Sequence, residues 1–522
     1  MHALTDPTTI HRRRWWTLAI LNLSLFAIIM DNTILNVALP TLAKDLHATG
    51  SELQWIVDSY VLVFAGLLLS AGALGDRFGR RGALSAGLVV FAAGSIFAMH
   101  VDSASMLIAA RAVMGIGGAL IMPATLSILT NVFTDPQERA KAIAMWASVG
   151  GLAVALGPVT GGFLLEHFSW TAVFALNIPI VVIAITAGRF AVPTSRDPET
   201  PPLDIPGAVL SIVALGSLVW AIISAGESGW TGQGPLTGFA IAAVSTVAFI
   251  AWERRTPYPM LDVSFFGNRR FTAASLSVMF GYFALFGSMF LLGQLLQFVL
   301  DYSPLDAGVR LLPFALTMMV FSVVSTKLVE RFGTKVVVAA GLGIVAVGLL
   351  WAAAQGAGST YLDYLPGMLL MGTGVALTWA PTTESIMGSL PAAKAGVGSA
   401  VNDTVREVGG ALGVAVLGSV LASQYTGAVS STTAALPAEA AHVAGDSVGG
   451  AVLVAQQVGG TAGNAIVQAA QAAYVDGFGL ALTIAAVVAA AGAAVAAIWL
   501  PSRAADAEVV DLELADVELA AA

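Results

Sequence analysis

The stretch MDNTILNVALP, from Met30 to Pro40, closes an apolar run that begins at Trp15. Asp31 is the one formally charged residue between Trp15 and Pro40. A run of this length predicts a transmembrane helix, and a carboxylate near the centre of such a helix costs about 2.5–3.5 kcal/mol to insert. Because intramembrane acids usually face a partner or a water-filled cavity, Asp31 indicates a polar site within the membrane.

The composition extends this interpretation to the whole chain. Its 522 residues are 57% hydrophobic and 11% charged, with a mean hydropathy of +0.84, whereas a soluble protein carries roughly 25% charged residues. The apolar runs predict fourteen spans, at approximately 15–38, 53–74, 82–101, 105–129, 141–165, 170–190, 205–226, 236–252, 271–299, 308–326, 335–355, 361–388, 397–423 and 477–500.

The basic residues predict the orientation of these spans. All 23 lysines and arginines except Lys44, Arg111, Arg310 and Arg406 fall in tails and loops on the side of the N-terminus. The positive-inside rule therefore predicts that both termini are cytoplasmic. We expect a multi-pass protein of the bacterial plasma (inner) membrane.

The spans show an internal repeat, because Arg-Phe-Gly occurs in LGDRFGRR after the second span and in LVERFGTK after the tenth. Duplicated helical bundles are common in secondary transporters. We predict an all-α fold with a cytoplasmic N-tail (1–14), a six-helix bundle (15–190), two additional transmembrane helices (205–252), a second six-helix bundle (271–500) and an acidic cytoplasmic tail (501–522). The long external loop 424–476 is interpreted as one or two amphipathic helices. A fifteenth span there would place the C-terminus outside.

Three charged residues in the first bundle are candidates for chemistry. At about 1.5 Å of rise per residue, Asp31, Asp58 and Arg111 lie at nearly the same height, in the outer third of the membrane. Asp31 either takes part in ion coupling or pairs structurally with Arg111, and Asp58 is either functional or solvated at the interface. We expect the two carboxylates to face one cavity, since each is otherwise an unexplained cost.

A second group of charges lies in the last spans. Asp403 and Glu407 share one face of the thirteenth span, and Asp403 is expected to form a local ion pair with Arg406, which leaves Glu407 as the freer carboxylate. Glu384 ends the twelfth span and is either a coupling residue or an interfacial one. Large side chains within the spans are interpreted as packing or lipid-facing; examples are Trp146, Met289, Phe290 and Trp379.

Several other classes of protein lack their signatures. The chain has no cysteine, and its six histidines lie in tails or outer loops. It contains no HExxH sequence and no GxxxxGK[ST] sequence, so neither an enzyme nor an ATP-driven pump is expected. A channel would need a filter loop or a ring of charges. Ion coupling remains as the energy source, and we expect no cofactor, metal, nucleic acid or obligatory protein partner.

These motifs resemble a known family. Over essentially its full length the chain is similar to the fourteen-helix drug:proton antiporters of the major facilitator superfamily, the EmrB/QacA group. MDNTILNVALP resembles the first-helix signature of that group, and VNDTVREVGGALGVAVLGS resembles its thirteenth-helix signature. LIAARAVMGIGGA resembles the fourth-helix motif, with Arg111 and Gly115 in place and Met114 where glutamine is usual.

Two glycine-rich segments complete the resemblance. GALGDRFGRR, from Gly72 to Arg81, resembles the loop motif of the superfamily, and ALGPVTGG resembles the fifth-helix antiporter motif. Glycine permits a tight turn, GxxxG spacing permits close helix contact, and Pro158 bends its helix. The resemblance assigns the conformational cycle to Gly72, Asp76, Arg77, Gly79, Arg80, Gly157, Pro158, Gly161 and Gly162.

The resemblance implies a proton-coupled multidrug efflux antiporter that exports hydrophobic, monovalent cationic compounds by alternating access. WIVDSYVL with Asp58 resembles the QacA-type exporters of organic cations, but Met318 stands where exporters of divalent cations carry an acid. The implied proton- and substrate-coupling residues, led by Asp31, are Asp31, Asp58, Arg111, Asp403, Glu407 and Glu384. The alternatives are a dedicated exporter of a single endogenous metabolite, lipid or antibiotic, and a non-transporting membrane receptor.

Overall fold

A computed structural model of the protein describes residues 7–195, 204–390, 395–434 and 436–502, and these ranges contain helices and no strand. The long helices pack into two bundles through close approaches at small residues, as is usual for helices in a membrane. The spans of the first bundle are α1 (Pro7–Asp45), α2 (Gly50–Phe78), α3 (Arg80–Ala98), α4 (Ala104–Val132), α5 (Pro136–His167) and the broken helix α6 (Ala172–Ala175) with α7 (Asn177–Ala191).

A hairpin of two further helices, α8 (Ile205–Ser228) and α9 (Gln233–Glu253), packs against α2. The second bundle follows. Its helices are α10 (Arg269–Gln294), α11 (Pro304–Arg310) with α12 (Leu312–Phe332), α13 (Thr334–Ala353), α14 (Tyr361–Met387), α15 (Ala395–Thr433), the short α16 (Ala438–Asp446) and α17 (Val448–Val458), and α18 (Gly460–Trp499). A π-helical turn at Leu295–Val299 extends α10. The hairpin also contacts α15 and so lies beside both bundles.

The number of spans agrees with the sequence prediction. Within the described ranges, thirteen helical segments are long and apolar enough to cross a membrane. The helix α14 is not among them, because glycine, threonine and proline interrupt its apolar sequence. Its 27 residues nevertheless extend about 40 Å, which exceeds the roughly 30 Å of the hydrocarbon core. The predicted all-α fold of two six-helix bundles plus two additional helices is confirmed.

The ends of several elements differ from the prediction. Residues 7–14, predicted as tail, are the first turns of α1, and most of the predicted tail 501–522 lies outside the described residues. The predicted loop 424–476 does contain the two short helices α16 and α17, but its ends belong to α15 and to the 40-residue α18. Hydropathy marks where a helix leaves the membrane, whereas alanine-rich sequence keeps the backbone helical beyond that point.

The two ends of the molecule differ in their loops. We call the end that carries the α2–α3 and α12–α13 turns the basic face, and the end that carries the α1–α2 turn, α16 and α17 the opposite face. The α2–α3 turn and the α12–α13 turn each contain the glycine of an Arg-Phe-Gly sequence. The φ of Gly79 is +114°, and the φ of Gly333 is +83°. Only glycine adopts this backbone conformation without strain, which gives the sequence repeat a common structural reason.

The bundles meet near the opposite face. Gln297, in the π-helical turn after α10, donates from Nε2 to the carbonyl of Val37 in α1 at 2.8 Å. Gln54 of α2 packs against Gly418 of α15, where an added Cβ would lie 2.6 Å from the amide carbon of Gln54. These contacts close the seam between the bundles at the opposite face.

Candidate functional site

Arg111 of α4 is fully buried and uses its whole guanidinium group within the first bundle. Its Nη1 donates to Asp31 Oδ2 at 2.5 Å, its Nη2 to Asn32 Oδ1 at 2.9 Å and its Nε to the carbonyl of Ile56 at 3.2 Å. Its Cζ also lies 4.3 Å from the ring centroid of Tyr60. Asp31 therefore makes the contact with Arg111 that one of its two alternatives described, and the contacts of Arg111 tie α1, α2 and α4 together.

The second carboxylate oxygen of Asp31 is also occupied. Asn177, at the start of α7, donates from Nδ2 to Asp31 Oδ1 at 2.8 Å and to Ser95 Oγ of α3 at 3.2 Å. The sequence interpretation missed Asn177, although a lone amide in the apolar run FALNIPI is a signal of a buried polar contact. Asp31 therefore lies at the centre of a satisfied network that connects five helices of one bundle.

Asp58 has the same burial but no partner. Its exposed fraction is 0%, and neither carboxylate oxygen has a hydrogen-bond donor among the described residues. The alternative that Asp58 is solvated at the interface is therefore wrong for this state. Asp58 lies one turn from Gln54, on the side of α2 turned away from α4, and Gln54 contacts Gly418 of α15. The unpartnered carboxyl group is thus close to the junction of the two bundles.

The charges of the second bundle form a looser cluster. Arg406 Nη1 lies 3.4 Å from Asp403 Oδ1, which confirms the predicted local ion pair, and Nη2 donates to Thr383 Oγ1 at 2.8 Å. Glu407 is half-buried, and no described residue donates to its carboxylate. Glu384 is exposed near the basic end of α14, so the structure does not bring it into a buried site with the others.

A cavity with a volume of about 80 Å³ lies on the seam between the bundles. Its wall is almost entirely apolar, and no acidic residue lines it among the described residues. The expectation that Asp31 and Asp58 face one cavity is therefore wrong for this state. The lining residues that bear on substrate chemistry are Thr33, Asn36, Phe286, Met289, Met318 and Trp379. Met289 and Trp379, which the sequence analysis interpreted as packing or lipid-facing, line the cavity.

An aromatic stack separates this cavity from the Arg406 cluster. The rings of Trp379 and Tyr282 are parallel within 16°, with centroids 5.1 Å apart, and Tyr282 also stacks on Phe286. The Cζ of Arg406 lies 5.4 Å from the Tyr282 centroid and 5.7 Å from that of Trp379. The charges at Arg406 and Asp403 are therefore close to the cavity without lining it.

The fifth-helix motif packs α5 against α1 within the first bundle. A Cβ at Gly157 would overlap the hydroxyl group of Thr33, and one at Gly161 would lie 2.8 Å from Cγ2 of Ile34. This is the close helix approach that the GxxxG spacing predicts.

The same motif also reaches the second bundle through its other face. A Cβ at Gly162 would lie 2.5 Å from Cα of Leu305 in α11, and one at Gly308 would overlap the carbonyl of Pro158. The motif therefore forms part of the seal at the opposite face, and Pro158 also lines the cavity.

The loop motif lies at the basic face, away from the cavity. Gly79 makes the turn. The N–H of Arg80 donates at 3.0 Å to the carbonyl group of Ser195. Gly72 is half-buried, with Pro123 nearby, and Arg77 is exposed. The side chain of Asp76 lies outside what the structure describes. The motif shapes a turn at the basic face.

Two bundles around a seam cavity define an α-helical membrane transporter and not an enzyme. Residues 21–414 match the Major Facilitator Superfamily. The chain belongs to this superfamily.

Similar proteins of known role are efflux or resistance proteins. The chain is 39% identical over 420 residues to the multidrug efflux pump LfrA of Mycolicibacterium smegmatis, covering 80% of this chain and 83% of LfrA. It is 34% identical to the methyl viologen resistance protein SmvA of Salmonella typhimurium, with 80% and 84% covered. It is 33% identical to the tetracenomycin C resistance and export protein of Streptomyces glaucescens, with 81% and 78% covered.

Solved structures share the fold. A bacterial homologue of the human lysosomal transporter Spinster, in an inward-facing and unoccupied conformation, matches with a TM-score of 0.65 over 93% of this chain and 97% of that one. The sequence identity is 17%, so this likeness concerns the fold alone.

Proposed function

We propose that the protein is a proton-coupled multidrug efflux antiporter, which exports hydrophobic monovalent cations by alternating access from a bacterial plasma membrane. The observation that carries the proposal is the apolar cavity on the seam between the bundles, closed at the opposite face. With both termini in the cytoplasm, the basic face is internal and the described state is inward-facing. The efflux and resistance roles of the similar proteins support this assignment.

The cavity suits a lipophilic cation of low charge density. Phe286 and Trp379 offer aromatic faces, which attract a cation by about 0.5–2 kcal/mol, and the apolar wall favours a ligand that loses little hydration on entry. No carboxylate lines the cavity among the described residues, so a second positive charge gains no direct counter-ion there. Monovalent cations are therefore the favoured class.

We assign the proton to Asp58 ahead of Asp31. The charge of Asp31 is already balanced by Arg111, whereas an ionised Asp58 without partners would be costly in apolar surroundings. In this proposal Asp58 carries the proton while it is buried and releases it when it is hydrated. The helices α2 and α15 belong to different bundles, so a rocking motion that separates them hydrates Asp58 and allows it to release its proton. Glu407 is the second candidate for this role.

The test is transport in proteoliposomes with a fluorescent lipophilic cation such as ethidium. The wild-type protein is expected to concentrate the dye when a pH gradient is imposed and to stop when an uncoupler is added. The Asp58→Asn variant keeps the shape of the side chain without its titration. It is expected to exchange labelled for unlabelled dye but not to concentrate it. Gradient-driven accumulation by Asp58→Asn at the wild-type rate contradicts the assignment, and accumulation that ignores the gradient contradicts proton coupling.

The second candidate function is dedicated export of one compound. It is favoured by the similarity to a protein named for resistance to and export of a single antibiotic, tetracenomycin C. A panel of chemically unrelated dyes and antibiotics distinguishes the two functions. Transport of one compound with rejection of every other lipophilic cation supports the dedicated exporter.

A further inference from the structure

A buried pair of acids lies away from the cavity, at the end of the α8–α9 hairpin that belongs to the basic face. Asp204 caps the start of α8, Glu253 ends α9, and the two residues are 8% and 3% exposed. A Cβ added at Gly207 would overlap one oxygen of each carboxyl group, Oδ2 of Asp204 and Oε1 of Glu253. The two groups therefore converge on the same point.

Asp204 is surrounded by hydrogen-bond donors. Its Oδ1 accepts from the Gly207 N–H at 2.9 Å and from Trp252 Nε1 at 2.7 Å. Its Oδ2 accepts from the Met260 N–H at 3.4 Å. Three donors favour the ionised form of this carboxyl group.

Glu253 has fewer hydrogen-bond donors around its carboxyl group than Asp204. Its Oε2 accepts one hydrogen bond, from the Leu261 N–H at 3.0 Å, and its Oε1 has no partner among the described residues. Two carboxylates that share a buried site cannot both ionise without a large repulsion. A proton on Oε1 removes that repulsion and gives the unpartnered oxygen a hydrogen bond to donate.

Within the part of the chain that the structure describes, few other charges lie near this pair. Arg254 and Arg255, which follow Glu253, are exposed, and no described ion pair connects a basic side chain to either acid. The linker carries Asp262, whose carboxylate accepts hydrogen bonds from Ser264. The helix α2 contributes an uncharged hydroxyl group. Among the described residues, N–H groups and not basic side chains are therefore the hydrogen-bond donors to the two carboxyl groups.

We propose that Asp204 and Glu253 bind one proton between them as a carboxyl–carboxylate pair, in which Glu253 Oε1–H donates to Asp204 Oδ2, and that this pair latches the linker between α9 and α10. The linker is attached on two sides. On one side, the two carboxyl groups accept hydrogen bonds from the N–H groups of Met260 and Leu261. On the other side, the Sδ of Met260 accepts a hydrogen bond from the Ser70 hydroxyl group of α2 at 3.2 Å.

The latch responds to the pH at the basic face. When Glu253 releases its proton to solvent, two adjacent carboxylates repel and the linker loses its anchor. Because the latched state binds one proton more than the open state, its stability is complete at low pH and falls as pH rises. The site differs from the proposed transport site in position and in residues. It does not depend on the substrate assigned above.

Hydrogen–deuterium exchange of the full chain in lipid nanodiscs tests the latch. The readout is the linker peptide that contains Met260 and Leu261, corrected for the intrinsic pH dependence of exchange. Opening of the latch releases one proton. In the pH range in which the latch opens, the corrected exchange of the linker peptide is therefore expected to rise about tenfold for each unit of pH. In Glu253→Gln, an amide donates to Asp204 without titrating, so the corrected exchange is expected to stay flat with pH. Glu439→Gln, at an exposed acid of α16, is the matched control and should follow the wild type.

Infrared difference spectroscopy adds a second measurement. The wild-type protein is expected to lose one protonated-carboxyl band over the pH range in which exchange accelerates, and Glu253→Gln should lack that band. If Glu253→Gln does not fold, Asp204→Asn should give the same flat exchange, because it removes the repelling charge. Parallel exchange in wild type and Glu253→Gln overturns the proposal. Suppression of high-pH exchange by sodium, but not by choline, also overturns it, because the pair would then bind a metal cation.

Discussion

Asp31 and Asp58 are aspartates of nearly equal burial whose partners differ completely. Asp31→Asn leaves the buried Arg111 without its counter-ion, a change that typically costs about 3–5 kcal/mol of folding stability. Asp58→Asn removes an unpartnered carboxyl group, so we expect unchanged or higher stability. Thermal unfolding of the two purified variants in the same detergent measures the difference. A similar loss in both variants would show that the Arg111 pair carries no special share of stability.

Met318 tests the charge selectivity of the cavity. An acid at this position would face the lumen between the bundles, where no described carboxylate lies. We expect Met318→Asp to raise resistance to divalent quaternary cations several-fold and to change resistance to monovalent cations less. A growth panel with matched monovalent and divalent compounds measures this, with Met318→Asn as the control for polarity. Equal gains in Met318→Asn would assign the effect to polarity and not to charge.

Sequence reasoning predicts residues of the site better than their partners. The matched heights of Asp31 and Arg111, which follow from helical rise, indicate that the two side chains can meet. The surroundings of Asp58 are a different case. They depend on which side of α2 meets α15, a helix more than 300 positions further along the chain, and no local pattern specifies that register. Only the structure therefore shows that Asp31 has hydrogen-bond partners and that Asp58 has none among the described residues.

Among the elements, α5 and α11 pack closely across the seam between the bundles. Gly162→Ala would place a methyl group against the backbone of Leu305, so we expect slower export and a weaker closed state at the opposite face. Gly343→Ala is the matched control, since that helical glycine of α13 has no atom within 4 Å of an added Cβ and alanine favours the helix by about 1 kcal/mol. Initial rates of dye efflux at equal expression measure the effect. Equal rates in both variants would remove the seal from the transport cycle.

Element boundaries show where hydropathy stops being informative. It locates all the spans, because burial in lipid requires about 20 apolar residues. It also ends the last span correctly near Trp499. It gives no indication that α18 already begins at Gly460, because helix propensity and packing against α17 continue the backbone outside the apolar window. The part of α18 at the opposite face is therefore visible only in the structure.

At the scale of the whole molecule, alternating access requires the two faces to open in turn. The natural chain has no cysteine, so pairs of introduced cysteines can carry spin labels without background. Asp102 and Ala357 suit the opposite face, and Thr134 and Arg331 suit the basic face, since all four are exposed.

Adding Gly162→Ala to both labelled proteins should lengthen the opposite-face distance and shorten the basic-face distance in double electron–electron resonance. Opposed changes are expected because each bundle moves as a rigid body. Lengthening of both distances would indicate loosening of the fold, and the rocking description would then be wrong.

The cavity draws most of its wall from the second bundle, whereas the Arg111 network lies wholly in the first. Under antibiotic selection this division has a genetic consequence. If the proposed export function holds, single-base changes in codons 285–318 are expected to alter which drugs are carried while leaving the Arg111 ion pair untouched. Resistance profiles are then expected to drift among strains with little loss of fitness. Surveillance of clinical or environmental isolates should therefore search those codons for the first signs of a broadened spectrum.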